Sequence, residues 1–151
     1  MNIDPRVIEL SELRIGNLLE YKGELVKVTS LSCDIDDEYE DQICFVRFGT
    51  STNEKGGWNR SLVNDLKRIP LTPELLERCG FESDKHGRWT GPQFETGNTI
   101  QWFEIEEDKK KGFYWLRGSE WVMGRPFQFL HQLQNLYNSL TGEELTIKEA
   151  V

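Results

Sequence analysis

Cysteine is scarce in this chain: 151 residues contain three, Cys33, Cys44 and Cys79. An odd number at uneven spacing excludes a disulfide framework and gives no paired-cysteine zinc pattern. These thiols read as ordinary buried or half-buried side chains. Histidine is scarcer still, with His86 and His131 alone, and neither stands beside a serine or cysteine in a nucleophile motif. No apolar run approaches the roughly 18 residues that a membrane-spanning helix needs. The opening Met1-Asn2-Ile3-Asp4-Pro5 lacks the basic-then-apolar layout of a secretion signal, so the expected compartment is the cytoplasm. An excess of positive charge is also missing. The formal net charge is −8, and residues 1–69 carry 13 acidic and 9 basic groups, as do residues 70–151. No half of the chain has the basic footprint of a protein that neutralises a phosphate backbone.

What is present is aromatic. Five Trp, eight Phe and four Tyr fit a chain that packs a core rather than a disordered one. Leu18–Tyr21 and Glu24–Leu31 read as a β-hairpin closed by Lys22-Gly23, a plausible two-residue turn. Gln42–Phe48 reads as a third strand and residues 66–69 as a short fourth. Thr72-Pro73-Glu74 opens a short helix: Thr72 can accept a bond from a free amide, Pro73 suits the first helical position and Glu74 favours the positive end of the dipole. Gly80 stops it in the left-handed conformation that glycine adopts without steric cost. Residues 98–105 and 112–117 read as two more strands joined by a charged loop whose tip is Lys109-Lys110-Lys111.

A second helix is expected over 131–140, capped by Gly142. Leu133, Leu136, Tyr137 and Leu140 recur at i, i+3, i+4 and i+7, which assigns them to the buried face. His131, Gln132, Gln134, Asn135, Asn138 and Ser139 then make a polar, uncharged outer face.

Strands precede helices instead of alternating with them, which points to an α+β fold. Residues 1–69 are expected to form an SH3-like small antiparallel β-barrel or bent sheet. Residues 70–151 should form an antiparallel sheet with two helices, the two subdomains packing as one unit.

Candidate chemistry is thin. Asp34–Asp41 holds six acidic groups in eight positions, which reads as a solvated loop. Read as a calcium loop, it would place Tyr39 where a glycine is needed and Phe45 where a glutamate is needed. Ser51–Gly57 lacks the Gly-Lys-Ser/Thr ending of a phosphate cradle. No metal, cofactor or catalytic residue is expected. Trp58, Trp89, Trp102, Trp115 and Trp121, with Arg60, Arg88, Arg117 and Arg125 nearby, raise one further reading. Trp102, Trp115 and Arg117 are candidates for a platform on which single-stranded nucleic acid stacks. Glu104 and Glu106 on the strand of Trp102 weigh against it.

Two segments also carry a resemblance. Leu71-Thr72-Pro73-Glu74-Leu75-Leu76-Glu77-Arg78-Cys79-Gly80-Phe81 is one. The other is His131-Gln132-Leu133-Gln134-Asn135-Leu136-Tyr137 with Leu140-Thr141-Gly142-Glu143-Glu144-Leu145. Here the chain resembles an uncharacterised small-protein family associated with prophages and mobile elements of gut anaerobes. Leu13-Arg14-Ile15-Gly16-Asn17 followed by Tyr21-Lys22-Gly23 is similar to the opening of that family. The resemblance implies a phage or mobile-element accessory protein and assigns no chemistry. Two function classes follow: a non-enzymatic protein acting through an unknown protein partner, and a small β-barrel module binding single-stranded nucleic acid through exposed aromatics. The acidic balance favours the first.

Overall fold

A computed structural model describes residues 8, 10–32, 42–47, 59–62, 65–117 and 122–148. The acidic stretch Asp34–Asp41, the polar loop Ser51–Gly57, Cys33, Trp58 and Trp121 lie outside the described residues. The fold is α+β, with two antiparallel sheets and two α-helices. It divides into two compact units, Met1–Pro70 and Leu71–Val151, one residue from the junction expected at 69/70.

The first unit is a bent, barrel-like antiparallel sheet of the SH3-like type. Its strands are β1 (Leu18–Tyr21), β2 (Glu24–Ser32), β3 (Gln42–Arg47), β4 (Asn59–Leu62) and β5 (Leu66–Lys67), ordered β4-β3-β2-β1-β5. Lys22 (φ +49) and Gly23 (φ +82) both adopt positive φ, as a type I′ hairpin turn requires. Between Val28 and Ser30 the register against β3 shifts by one residue, a bulge that bends the strand and helps curl the sheet. Leu19, Val26, Val28, Ile43, Phe45 and Leu66 fill the core, joined by Ile8. The Arg14–Asn17 segment is a β-turn: the Asn17 N–H donates to the Arg14 carbonyl (3.1 Å) and Gly16 has φ +96. Buried Asn17 also accepts the Arg14 N–H on its side-chain oxygen (2.7 Å). Arg68 grips Glu12 with two hydrogen bonds, Nε to Oε1 at 3.0 Å and Nη2 to Oε2 at 2.7 Å, tying the end of the sheet to the 3-10 turn Leu10–Glu12.

The second unit holds α1 (Pro73–Arg78), β6 (Glu82–Ser83), β7 (Arg88–Thr96), β8 (Thr99–Asp108), β9 (Phe113–Arg117), β10 (Val122–Phe127) and α2 (Leu130–Thr141). The strands form one antiparallel meander in the order β10-β9-β8-β7-β6. The α1 caps follow the expected chemistry: Thr72 Oγ1 accepts the Leu75 N–H (3.2 Å). Gly80 (φ +88) lets its own N–H reach Glu77 O and the Phe81 N–H reach Leu76 O, both at 3.0 Å, the double bond pattern of a Schellman stop. The chain after α2 returns to α1, where Lys148 N–H donates to Arg78 O and Arg78 Nε to Lys148 O, both at 2.9 Å. Leu145 and Ile147 are buried on the way.

Helix α2 corrects the face assigned from sequence. Its buried residues are Leu130, His131, Leu133, Gln134 and Tyr137, while Leu136 is half-buried and Leu140 is 46% exposed. The i, i+3, i+4, i+7 stripe therefore starts at Leu130, one turn earlier, and takes in Gln134. The reason lies at the helix entrance. Phe129 has no side-chain acceptor for the cap, so Gln132 reaches back and its Oε1 accepts the N–H groups of Gln128 (2.9 Å) and Phe129 (3.1 Å). This starts the helix at Leu130. Tyr137 then packs edge-on against Phe103 (centroids 5.2 Å apart), and Phe103 against Phe81 (6.1 Å).

Between Thr90 and Gln93 the β7–β8 register shifts: Thr90 opposes Glu104 and Gln93 opposes Trp102. Gly91 and Pro92 together face the single Phe103, a bulge placed where proline's missing N–H forfeits no ladder bond.

Candidate functional site

The two faces of the second sheet differ. Phe103, Ile105, Trp89 and Tyr114 point to the side covered by α2 and are buried. The opposite face takes the alternate residues of β8, namely Ile100, Trp102, Glu104 and Glu106, with their cross-strand partners Glu95, Gln93, Thr90 and Arg88 on β7 and Trp115 on β9. Beyond the Gly91–Pro92 bulge, the β7–β8 ribbon runs on as an arm to a two-residue turn at Gly97-Asn98, where Gly97 has φ +63. Ile100 is 62% exposed and Trp102 55% exposed. They are two positions apart on the same side of the arm, with Glu95 and Glu104 at its margins.

The three residues singled out from sequence, Trp102, Trp115 and Arg117, all belong to this sheet. Trp102 is exposed, and Trp115 and Arg117 are half-buried. Trp102 and Trp115 do not form one continuous surface. Trp115 sits opposite Glu106, four positions from Trp102, or about 13 Å along the strand. Glu104 and Glu106 lie between them. Arg117 is taken up by those same carboxylates, its Nη1 3.3 Å from Glu106 Oε2 and its Nε 3.9 Å from Glu104 Oε2. Trp89 of the same aromatic series is a core residue, its Nε1 donating to Glu107 Oε2 at 3.4 Å.

At the far end of β8 a cleft of about 510 Å³ is lined by His86, Gly87, Glu106, Glu107, Asp108, Lys109, Lys110 and Trp115. Three acidic and two lysine residues border it, and its shape comes from turns. Asp84 Oδ1 accepts the N–H groups of His86 (2.7 Å) and Arg88 (3.0 Å), which hold its carboxyl below the usual range. Asp108 Oδ1 accepts those of Lys110 and Lys111. The Lys109–Lys111 tip is thus the hairpin end expected from sequence. Burial pushes the Cys79 thiol up to about 12, and burial with the nearby Glu107 charge pushes Tyr114 to about 12, so both stay protonated and chemically quiet at neutral pH. His131 is fully buried, stacked with Phe129 at 6.3 Å, out of reach of any substrate. Among the described residues no three His, Cys, Asp or Glu side chains gather as a metal site.

The sequence singles out Trp102 but not Ile100. The signal was available: residues 96–103 are eight consecutive uncharged residues in a chain that is 29% charged. Among the described residues no helix is long and apolar enough to cross a membrane. Compared with protein-family models, curated proteins and solved structures, the chain matches none.

Proposed function

We propose that this is a non-enzymatic accessory protein of a phage or mobile element, acting in the cytoplasm by docking another polypeptide on the outer side of the β7–β8 arm. The observation that carries the reading is the exposed pair Ile100–Trp102. A tryptophan held out on a rigid strand is the kind of anchor around which protein interfaces concentrate their binding energy. The neighbouring acids Glu95 and Glu104 fit a polar rim around that anchor. The same geometry gives little to nucleic acid. The tryptophans are separated, the arginine between them is already held by two glutamates, and the net charge is −8.

The test is a photo-crosslinking amino acid in place of Trp102, irradiated in a nuclease-treated lysate of the host. Protein adducts that disappear with Ile100→Asp are expected. In parallel, labelled oligonucleotides should show no submicromolar duplex binding at physiological salt. Single-strand binding abolished by Trp102→Ala would replace this reading with the nucleic-acid one.

A further inference from the structure

We infer that the cleft at the far end of β8 is a binding site for a small planar anion, a heteroaromatic ring bearing a phosphate group. The cleft is distinct from the docking surface: Trp115, which lines it, sits opposite Glu106 on β8, about 13 Å along the strand from Trp102. Its volume of about 510 Å³ is that of a small-ligand site. The two turns that wall it are fixed by backbone bonds, Glu107 N–H to Gly87 O at 2.6 Å and Gly112 N–H to Asp108 O at 2.8 Å. The walls therefore exist before a ligand arrives, which lowers the ordering cost of binding.

The acids around the cleft are engaged and the lysines are not. Glu106 is held by Arg117, whose Nη1 is 3.3 Å from its Oε2. Glu107 alternates with Glu106 and Asp108 and so turns toward the covered face, where its Oε2 accepts the Trp89 indole N–H. Asp108 Oδ1 accepts the backbone N–H groups of Lys110 and Lys111 at 3.1 and 3.2 Å. Among the described residues no carboxylate pairs with the Lys109 or Lys110 ammonium, and no side chain hydrogen-bonds the His86 imidazole. With Glu106 offset by Arg117 and Glu107 turned away, one carboxylate remains against two ammonium groups, and His86 is a further hydrogen-bonding group. Ammonium groups act as point charges, which suits the nearly double charge of a phosphate better than a single carboxylate. Trp115 supplies the other half of the recognition. It is half-buried on the uncovered face, and a planar ring stacks on an indole largely independently of the ring's polar edge. The net charge of −8 repels free phosphate at a distance, so ring and phosphate are both needed.

The test is isothermal titration calorimetry of the full chain with adenosine monophosphate, adenosine and inorganic phosphate as separate probes. Adenosine monophosphate should bind with a Kd below about 1 mM, and the other two should each bind about tenfold or more weakly. Lys109→Gln with Lys110→Gln, at two exposed positions, should weaken adenosine monophosphate about tenfold or more and leave the thermal melt unchanged. Trp115→Leu should reduce its binding to that of phosphate alone, whereas Trp115→Tyr, which keeps a stacking ring, should retain it. Amide and indole NMR signals of the wild-type chain, followed during the same titration, should shift at Lys109, Lys110 and Trp115; this readout stands even where Trp115→Leu fails to fold. No binding of adenosine monophosphate at millimolar concentration overturns the inference. So does adenosine binding as tightly as adenosine monophosphate, binding undiminished in the lysine variant, or shifts confined to other parts of the chain.

Discussion

The ring of Phe81 lies against the α-carbon of Gly91, so closely that a methyl group built there would come within 2.5 Å of Phe81 Cε1 and 2.9 Å of the Phe103 carbonyl oxygen. The glycine makes room at the bulge for the aromatic ring that follows α1. It thereby ties the α1 stop, the bend in β7 and the Phe103–Tyr137 contact into one piece of core. The arm that carries Ile100 and Trp102 starts from this point.

Gly91→Ala should therefore destabilise by about 1–3 kcal/mol, the usual cost of forcing volume into a packed core. Gly80→Ala has free space, its new methyl 3.7 Å from Pro92 Cγ, but its φ of +88 disfavours a side chain. It should cost about 1–2 kcal/mol for that reason alone. Chemical denaturation of both variants separates crowding from backbone strain: only at position 91 should a neighbouring truncation, Phe81→Leu, recover part of the loss.

Leu133→Ala should cost about 2–5 kcal/mol, because its side chain is fully buried. Leu140→Ala, on the exposed end of the same helix, should stay within about 0.5 kcal/mol of the wild type. Equal losses at the two positions would contradict the face assigned to α2.

The tryptophans divide in the same way. Trp89→Ala should cost about 3–5 kcal/mol as a core truncation. Trp102→Ala should leave stability within about 0.5 kcal/mol, because its side chain is 55% exposed. A large fall in melting temperature for Trp102→Ala would make it a packing residue instead.

Alkaline pH should weaken the second unit. Cys79 has its thiol raised from 9.0 to about 12 by burial. Below pH 9 the thiol is protonated in both the folded and unfolded chain, so stability is unaffected there. Above pH 9 the unfolded chain loses the proton first, and folding loses about 1.4 kcal/mol for each further pH unit up to about 12. Denaturation midpoints measured from pH 8 to pH 10.5 should fall, and fall less steeply in Cys79→Ala. In native protein at pH 8, Cys79 should resist alkylation that proceeds readily in denaturant; rapid native labelling would refute its burial.

Much of the local structure was legible in the amino acids. Lys22-Gly23 closes its hairpin because two residues alone must supply the backbone reversal. Thr72, Pro73 and Gly80 bound α1 because capping is a matter of one residue and its nearest amides. The sequence of strands followed by helices was enough for the α+β class. Strands β4 and β6 were not legible: Asn59–Leu62 and Glu82–Ser83 are short and largely polar, and they exist as strands because β3 and β7 offer ladders to pair with.

What tertiary structure decided is which side of each element meets another. The α2 periodicity allowed a stripe from Leu130 or from Leu133, and the reach of Gln132 back to Gln128 and Phe129, with the Phe103 ring against Tyr137, selected the first. Trp89 and Trp102 occupy similar strand positions in the sequence. One is in the core and the other in solvent because α2 covers a single face of the sheet: Trp89 pairs with Ile105 on the covered face, and Trp102, three positions before Ile105 on β8, lies on the other. Periodicity along a chain fixes spacing, which is local. The choice of buried face depends on contacts between distant residues, and these arise only once the chain has folded.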